Sequence, residues 1–439
     1  MKHLFLVCVV LVPVFVATKI GKGNAKIIFP VILFLAGCLL TTILFCINMN
    51  FPYADGGDDF VYYQVSIHNF QKISDWFDLS QFMSTHEQSG YPLLLSWVHQ
   101  ICGESLFHRK ALNLFFFLML ANFWYLIGDV IGGKRLGLVL GITLIIGTPL
   151  WFYWMFLLKD MTIVFLQSLL ILGLIDFVSG FNYIRGYVLM FLCTIAVIPF
   201  RVMLVFVNLA FISSAILFTK KNTSFLLRFG VVISMIAIFF FLGNNPNILK
   251  SLGASGEDRK LEMGAIERSI ERREMSKNTG MGALLKFPLL YLVGEVNTFN
   301  INSWDKLTPV EIRAMGMVPW IFFGLPLFLY ISFMFIYPKI FKINRLVEDK
   351  LIVKNNVILQ NEKSQLYFTV LYLFVGIYAG VSYLSNDTTR WRLAALPPML
   401  ALAGWGWTIL PVLKRTMLLV YWLLSVMSFS ILYYVFLKQ

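Results

Sequence analysis

Four imidazoles and a close group of three carboxylates lie in one stretch of a largely apolar chain. Between Asn50 and Asn113 the sequence reads NFPYADGGDDFVYYQVSIHNF, then a polar span, then GYPLLLSWVHQICGESLFHRKALN. Asp55, Asp58 and Asp59 stand beside the end of an apolar segment, where water meets lipid. His68, His86, His99 and His108 are four of the five histidines in the chain. A carboxylate in that position can take a proton from an acceptor hydroxyl as a sugar–phosphate bond breaks. It can also ligate a divalent cation that neutralises a diphosphate. The plainer account is a helix cap, with Asp58 or Asp59 opening a helix from Phe60 to Ile73 behind two glycines. One aspartate can cap while the other does chemistry. A divalent cation held by Asp58, Asp59 and His68 stays open as a reading, although the histidines lack HxH or HExxH spacing.

Other charges stand alone in apolar surroundings. Lys159 and Asp160 interrupt such a region, where opposite charges need water or each other. Either they form a site or Asp160 caps a helix starting at Met161. Arg201 follows Pro199, and Arg390 and Arg392 close the polar turn SNDTTRWR just ahead of Pro397-Pro398. Guanidinium groups at a membrane surface bind phosphate bidentately, and the alternative is snorkelling to lipid headgroups. Arg109 and Lys110 are the same kind of group or mark a span end. Trp151 to Trp154 read as an aromatic belt at the membrane interface, with sugar stacking as the second account.

The elements that must position these residues follow from composition. The 439 residues are 59% hydrophobic and only 13% charged, with a mean hydropathy of +0.76. Apolar runs of about 20 residues recur along the whole length, so the bilayer is the natural solvent and the fold is all-α and polytopic. A β-barrel would alternate polar and apolar residues in segments of about ten, and none do. The spans expected are 3–18, 27–48, 111–131, 136–157, 161–179, 187–199, 202–219, 229–247, 315–337, 364–384, 393–412 and 416–437, about 12 transmembrane helices in one membrane domain. The first is read as a retained helix rather than a signal peptide, for want of a small-residue cleavage site. Pro199 and Arg201 leave 187–219 as two short helices or one kinked one.

The net charge of +13 lies mostly in short turns, as membrane orientation needs, so no nucleic-acid partner is required. Lys22, Lys134, Arg185, Lys220, Lys414 and the 339–363 linker go to the cytoplasm. The N-terminus and the loops 50–110, 158–160, 199–202, 248–314 and 385–392 then face outside, with 50–110 and 249–314 as an extracytoplasmic cap. Residues 249–282 alternate acids and bases like a solvated helix. The cysteines give neither a disulfide framework nor zinc spacing.

In order, these motifs resemble the GT-C glycosyltransferases, polytopic enzymes of the protein-mannosyltransferase, aminoarabinose-transferase and RgtA-like kind. The acidic pair and tyrosine of that family's first outer loop are matched by Asp58, Asp59 and Tyr62. Tyr91-Pro92-Leu93 matches its next element with one proline where two are usual. Gly103, Arg109 and Asn113 match the opening of the following span. Arg201 and Arg390-Trp391-Arg392-Leu393 resemble its later basic elements. Lys159-Asp160 looks like a pair seen in bacterial polysaccharide-cluster members. The resemblance implies an inverting transferase in the bacterial inner membrane, with its active face extracytoplasmic. It implies a polyprenyl-phosphate-linked sugar as donor, and as acceptor a glycan or lipid-linked oligosaccharide. Asp58 becomes the base, Asp59 its helper or a metal ligand, and Arg201 and Arg390 the holders of lipid phosphate. Tyr62, Arg109, Lys159, Asp160 and Arg392 complete the expected substrate contacts. The alternatives are a Wzy- or EpsG-type repeat-unit polymerase on the same face and, less favoured, a transporter or flippase. A transporter would bury charges at mid-membrane and repeat its halves, and neither is visible.

Overall fold

The computed structural model of the chain describes residues 1–53, 58–68, 90–180, 182–201, 203–219, 291–292, 316–336, 362–385 and 388–432. The described residues are 90% helical and form no strand. Among the described residues, five helices are long and apolar enough to cross a membrane: Lys2–Ile20, Ala25–Asn50, Leu106–Gly132, Asp160–Ser179 and Gly316–Met334. The first two are α1 and α2. Next come two shorter helices, α3 (Asp58–His68) and α4 (Gly90–Cys102), and then α5 (Leu106–Gly132). After α6 (Lys134–Ile146) and a short α7 (Trp151–Met155), α8 (Asp160–Ser179) runs back through the bundle. The rest are α9 (Tyr183–Ala196), α10 (Met203–Thr219), α11 (Leu325–Ile336, entered through a π-helical turn at Trp320–Gly324), α12 (Glu362–Ser385), α13 (Thr388–Ile409) and α14 (Val412–Leu432).

The segment expected as one span at 136–157 is broken. Its helix stops at Ile146, and Gly147, a 3₁₀ turn at Thr148–Leu150 and α7 follow. Pro149 lacks an amide proton and cannot continue the α-helical hydrogen-bond ladder. The 187–219 region is a pair of helices, parted by a turn at 197–201 that holds Pro199. The expected span 229–247, most of the 249–314 loop and the 339–363 linker up to Asn361 lie outside the described residues.

α5 and α8 are the central helices; α1, α2, α9 and α14 turn leucine, isoleucine and phenylalanine outward, as a lipid surface requires. α5 and α6 approach through glycine. Gly133 makes their reversal at φ 81 and ψ 177, backbone that essentially only glycine adopts. A Cβ on Gly128 would sit 2.7 Å from the Cα of Gly137. Gly128→Ala should therefore prise the pair apart and cost about 1–3 kcal/mol, read as a lowered Tm in detergent.

The bundle has two chemically distinct ends. At one, Lys22 pairs with Asp129 at 2.6 Å and Lys134 lies against Gly23. The Asp129 hydrogen bond is what raises the Lys22 ammonium above the ordinary lysine range. Arg185 reaches the buried Asp176 at 2.6 Å near the same end. At the other, Lys2 lies beside Gly103, Phe5 beside His108, and the Gly90 amide donates to the Pro199 carbonyl at 3.0 Å. The N-terminus, residues 51–53 and 90–105 and the 197–201 turn thus share the end opposite the basic turns.

Candidate active site

At the end away from the basic turns, charged side chains are buried against all local precedent of an apolar bundle. Asp59 (1% exposed), Arg109 and Lys110 (0%), Lys159 (1%) and Asp160 (6%) come from α3, the first turn of α5 and the start of α8. Burying charge is costly, so buried charged groups mark sites in a membrane protein.

α3 does begin at Asp58, and Asp59 Oδ1 accepts the Phe60 amide at 3.0 Å, so Asp59 also engages the first turn. The side chain of Asp58, expected as the base, lies outside the described residues, as do those of His68 and Arg390. Tyr62, one turn on from the acidic pair, is buried edge-to-face against Tyr91 of α4, with ring centroids 5.4 Å apart. The Lys159 ammonium stands 6.0 Å from the Tyr62 ring centroid. Asp160 opens α8, where its charge meets the positive end of the helix dipole. Asp59 and Asp160 both act electrostatically on the Tyr91 hydroxyl. Burial, reinforced by Tyr62 and these acids and only partly offset by the Asn113 amide, pushes that phenol well above its ordinary range. Tyr91 therefore keeps its proton and remains a donor.

Lys110 was ambiguous in the sequence and is central in the fold. Its ammonium donates to the Phe51 carbonyl at 3.1 Å and stands 5.0 Å from the Phe156 ring centroid. Asp59 acts on it electrostatically without forming an ion pair among the described residues. Three residues on, and so on the same helix face, Asn113 donates to the carbonyls of Phe156 (2.7 Å), Leu158 (3.1 Å) and Tyr153 (3.4 Å). That amide pins the irregular 153–158 stretch, and with it Lys159, to α5. Asn113→Leu should leave these buried acceptors without it and lower stability by about 1–3 kcal/mol, seen in thermal unfolding. Of the aromatic run, Tyr153 and Trp154 belong to the core, Trp154 fully buried and stacked on Phe117 at 5.8 Å, while Trp151 and Phe152 are half-buried. The Trp154 indole N–H has no partner among the described residues, while the Tyr91 hydroxyl faces the Asn113 amide. A buried polar group without a partner beside buried charges indicates a place for a polar ligand.

Arg109, expected to touch substrate, is turned onto the protein. Its Nη2 lies 2.6 Å from His99 Nδ1, its Nη1 reaches Ser66 at 3.5 Å, and it stands over the Tyr63 ring at 4.3 Å. The remaining arginines form a neighbouring group. Half-buried Arg201 acts electrostatically on Tyr378, while Arg392 is buried, donates to the Leu292 carbonyl at 2.9 Å and acts on Tyr291. Tyr291 in turn donates to the Val375 carbonyl at 2.8 Å. The Gly90–Pro199 contact joins the two groups, since Gly90 precedes Tyr91 and Pro199 lies two residues from Arg201. Among the described residues no three His, Cys, Asp or Glu side chains are grouped to hold a metal.

Reading by motif gave His99 no role, matched Tyr91 to an element without a role of its own, and left Lys110 between a phosphate contact and a span end. Lys110 and Asn113 carried a usable signal, two polar residues three apart at the start of an apolar helix. His99 carried none. Compared with protein-family models, curated proteins and solved structures, the chain matches none.

Proposed function

We propose that this protein is a GT-C-like membrane glycosyltransferase. It moves a sugar from a polyprenyl-phosphate donor to a glycan or lipid-linked acceptor of bacterial surface-polysaccharide synthesis, on the extracytoplasmic face of the inner membrane. The observation that carries the reading is the burial of Asp59, Lys110, Lys159 and Asp160 together with Tyr91 at one end of the bundle.

That set suits an inverting displacement. The Asp58–Asp59 pair takes the proton of the acceptor hydroxyl, whose oxygen attacks the anomeric carbon on the face opposite the phosphate. The carbon–oxygen bond to phosphate breaks, and its electron pair leaves on a phosphate oxygen. Lys110 and Lys159 stabilise that growing charge, worth far more in a site that excludes water than in solution. The Tyr91 hydroxyl donates to a substrate oxygen. Arg201 and Arg392 supply further positive charge on the lipid side. Beside them lies an apolar cavity of about 340 Å³ lined by Gly147, Trp320, Phe323, Leu400, Gly404 and Trp407. The Trp320 indole donates to the Leu292 carbonyl at 2.7 Å, the same oxygen that accepts Arg392. A cationic group above an apolar cavity suits a ligand with an anionic head and a hydrocarbon tail.

The test offers the protein, purified into nanodiscs, a panel of polyprenyl-phosphate sugars and lipid-linked oligosaccharide acceptors, with products read by mass spectrometry. One added sugar is the expected result. A ladder of repeats would make the protein a polymerase instead. Transbilayer movement of unmodified lipid-linked sugar, with no product, would make it a flippase.

A further inference from the structure

The apolar cavity beside Trp320 has a second cationic end. α13 runs antiparallel to α6: a Cβ on Gly147 would meet Leu400, and one on Gly404 would meet Leu140 and Thr143. Passing from Leu400 through Gly404 to Trp407 therefore leads toward Lys134, at the end of the bundle that holds Lys22 and Asp129. Arg392 and Trp407 stand fifteen residues apart on α13, about 22 Å along a helix, so the cavity extends away from Arg392 to a wall formed by Trp407. There the reversal into α14 brings in Arg415. Its guanidinium lies 3.8 Å from the Trp407 ring centroid, and its Nη1 donates to the Trp407 carbonyl at 3.0 Å. That geometry holds the cation at the rim and leaves Nε and Nη2, the fork that takes two oxygens of one phosphate. Among the described residues no carboxylate pairs with Arg415, and Lys414 beside it is exposed. Ile146, Phe323 and Trp407 line the cavity and are themselves exposed, so it opens on the lipid-facing surface.

We infer that this rim and cavity bind an anionic phospholipid of the leaflet at the Lys22–Asp129 end, with its phosphate on Arg415 and one acyl chain passing Trp407 into the cavity. The inference goes beyond the transferase reading and does not rest on it. The donor of that reading brings its phosphate to the opposite end of the bundle, so the two lipids share hydrocarbon space and not a headgroup site. Charge complementarity selects the occupant. A zwitterionic headgroup carries its own ammonium to Arg415 and Lys414, whereas a lipid of net negative charge brings only attraction. Plain snorkelling of an arginine to bulk headgroups needs neither a cavity nor a ring to hold the guanidinium.

Photolabelling of the full chain, purified and delipidated in detergent, tests this without any assumption about activity. A trace of phosphatidylglycerol with a diazirine in one acyl chain is added and irradiated, and the labelled peptides are mapped by mass spectrometry. Label is expected on peptides that contain Thr143, Phe323 or Trp407. Unlabelled phosphatidylglycerol should displace it about tenfold more effectively than phosphatidylcholine of the same chains, the preference that one charge-assisted contact supplies. In Arg415→Gln the two competitors should become equal. Equal competition in the wild type overturns the inference, whatever the variant does. So does label confined to peptides outside the cavity, or a preference that survives in Arg415→Gln. Undecaprenyl phosphate is the third competitor, and stronger displacement by it than by phosphatidylglycerol would make the cavity the donor's alone and overturn the inference too. If glycosyl transfer is absent but the labelling pattern appears, the phospholipid site stands and the enzyme reading alone fails.

Discussion

Asp59→Asn should lower glycosyl transfer by about 10²–10⁴-fold while leaving the fold intact, the loss that follows removal of a positioned general base or its partner. The fold survives because asparagine keeps an oxygen at the Asp59 Oδ1 position, where it can still accept the Phe60 amide. The variant should therefore match wild type in Tm and in donor binding and differ in the chemical step alone, so single-turnover rates are the measurement to make. Asp58→Asn belongs beside it. If Asp58 is the base and Asp59 its helper, Asp58→Asn has the larger effect and the double variant is barely worse than the more damaging single. Transfer unchanged in both variants would remove the acid pair from the mechanism.

Lys110→Met is expected to separate activity from stability. Lys110 is completely buried and makes one hydrogen bond, to the Phe51 carbonyl, with no carboxylate in ion-pair contact among the described residues. A methionine of similar length fills the space without desolvating a charge, so Tm should stay level or rise. Transfer should nevertheless fall by about 10²–10³-fold, the range for deleting a group that stabilises charge developing in a transition state. Lys110→Arg need not rescue it, because a planar fork does not replace a compact ammonium beside the Phe156 ring. A Tm loss with a proportionate activity loss would instead make Lys110 a structural residue. Measuring kcat apart from KM then locates its role: a cation that binds only the departing phosphate changes kcat.

Much of the architecture was legible because bilayer helices announce themselves by length. α1, α2, α5 and α8 fall where apolar runs placed them, within a few residues. Of the basic turns predicted on one side, those at Lys22, Lys134 and Arg185 share one end, while Lys220 and the linker up to Asn361 lie outside the described residues. What failed was local. The 136–157 run is apolar throughout, and hydropathy does not register that Gly147 and Pro149 end the helix. Trp151–Trp154 looked like an interfacial belt because sequence shows aromatic character and not which surface it meets; Trp154 meets Phe117.

The site was legible in the same partial way. Asp59, Tyr62, Lys159 and Asp160 were singled out as charges or motifs out of place, and the fold buries all four at one end. Adjacent basic residues at a span end look alike in sequence, which hid the division between Arg109 and Lys110. The first faces His99 and Ser66, ten and forty-three residues away in the chain, and the second faces Phe51. Such pairings are tertiary facts that no spacing encodes.

The most direct test of the central claim is an experimentally determined structure of the protein with a polyprenyl phosphate bound. The account predicts the phosphate within hydrogen-bonding reach of Lys110 or Lys159, its first sugar carbon facing the Asp58–Asp59 pair, and its hydrocarbon tail running toward Trp320. A phosphate seated at the end of the bundle that holds Lys22 and Asp129, or one that leaves both lysines and the acid pair untouched, would contradict it.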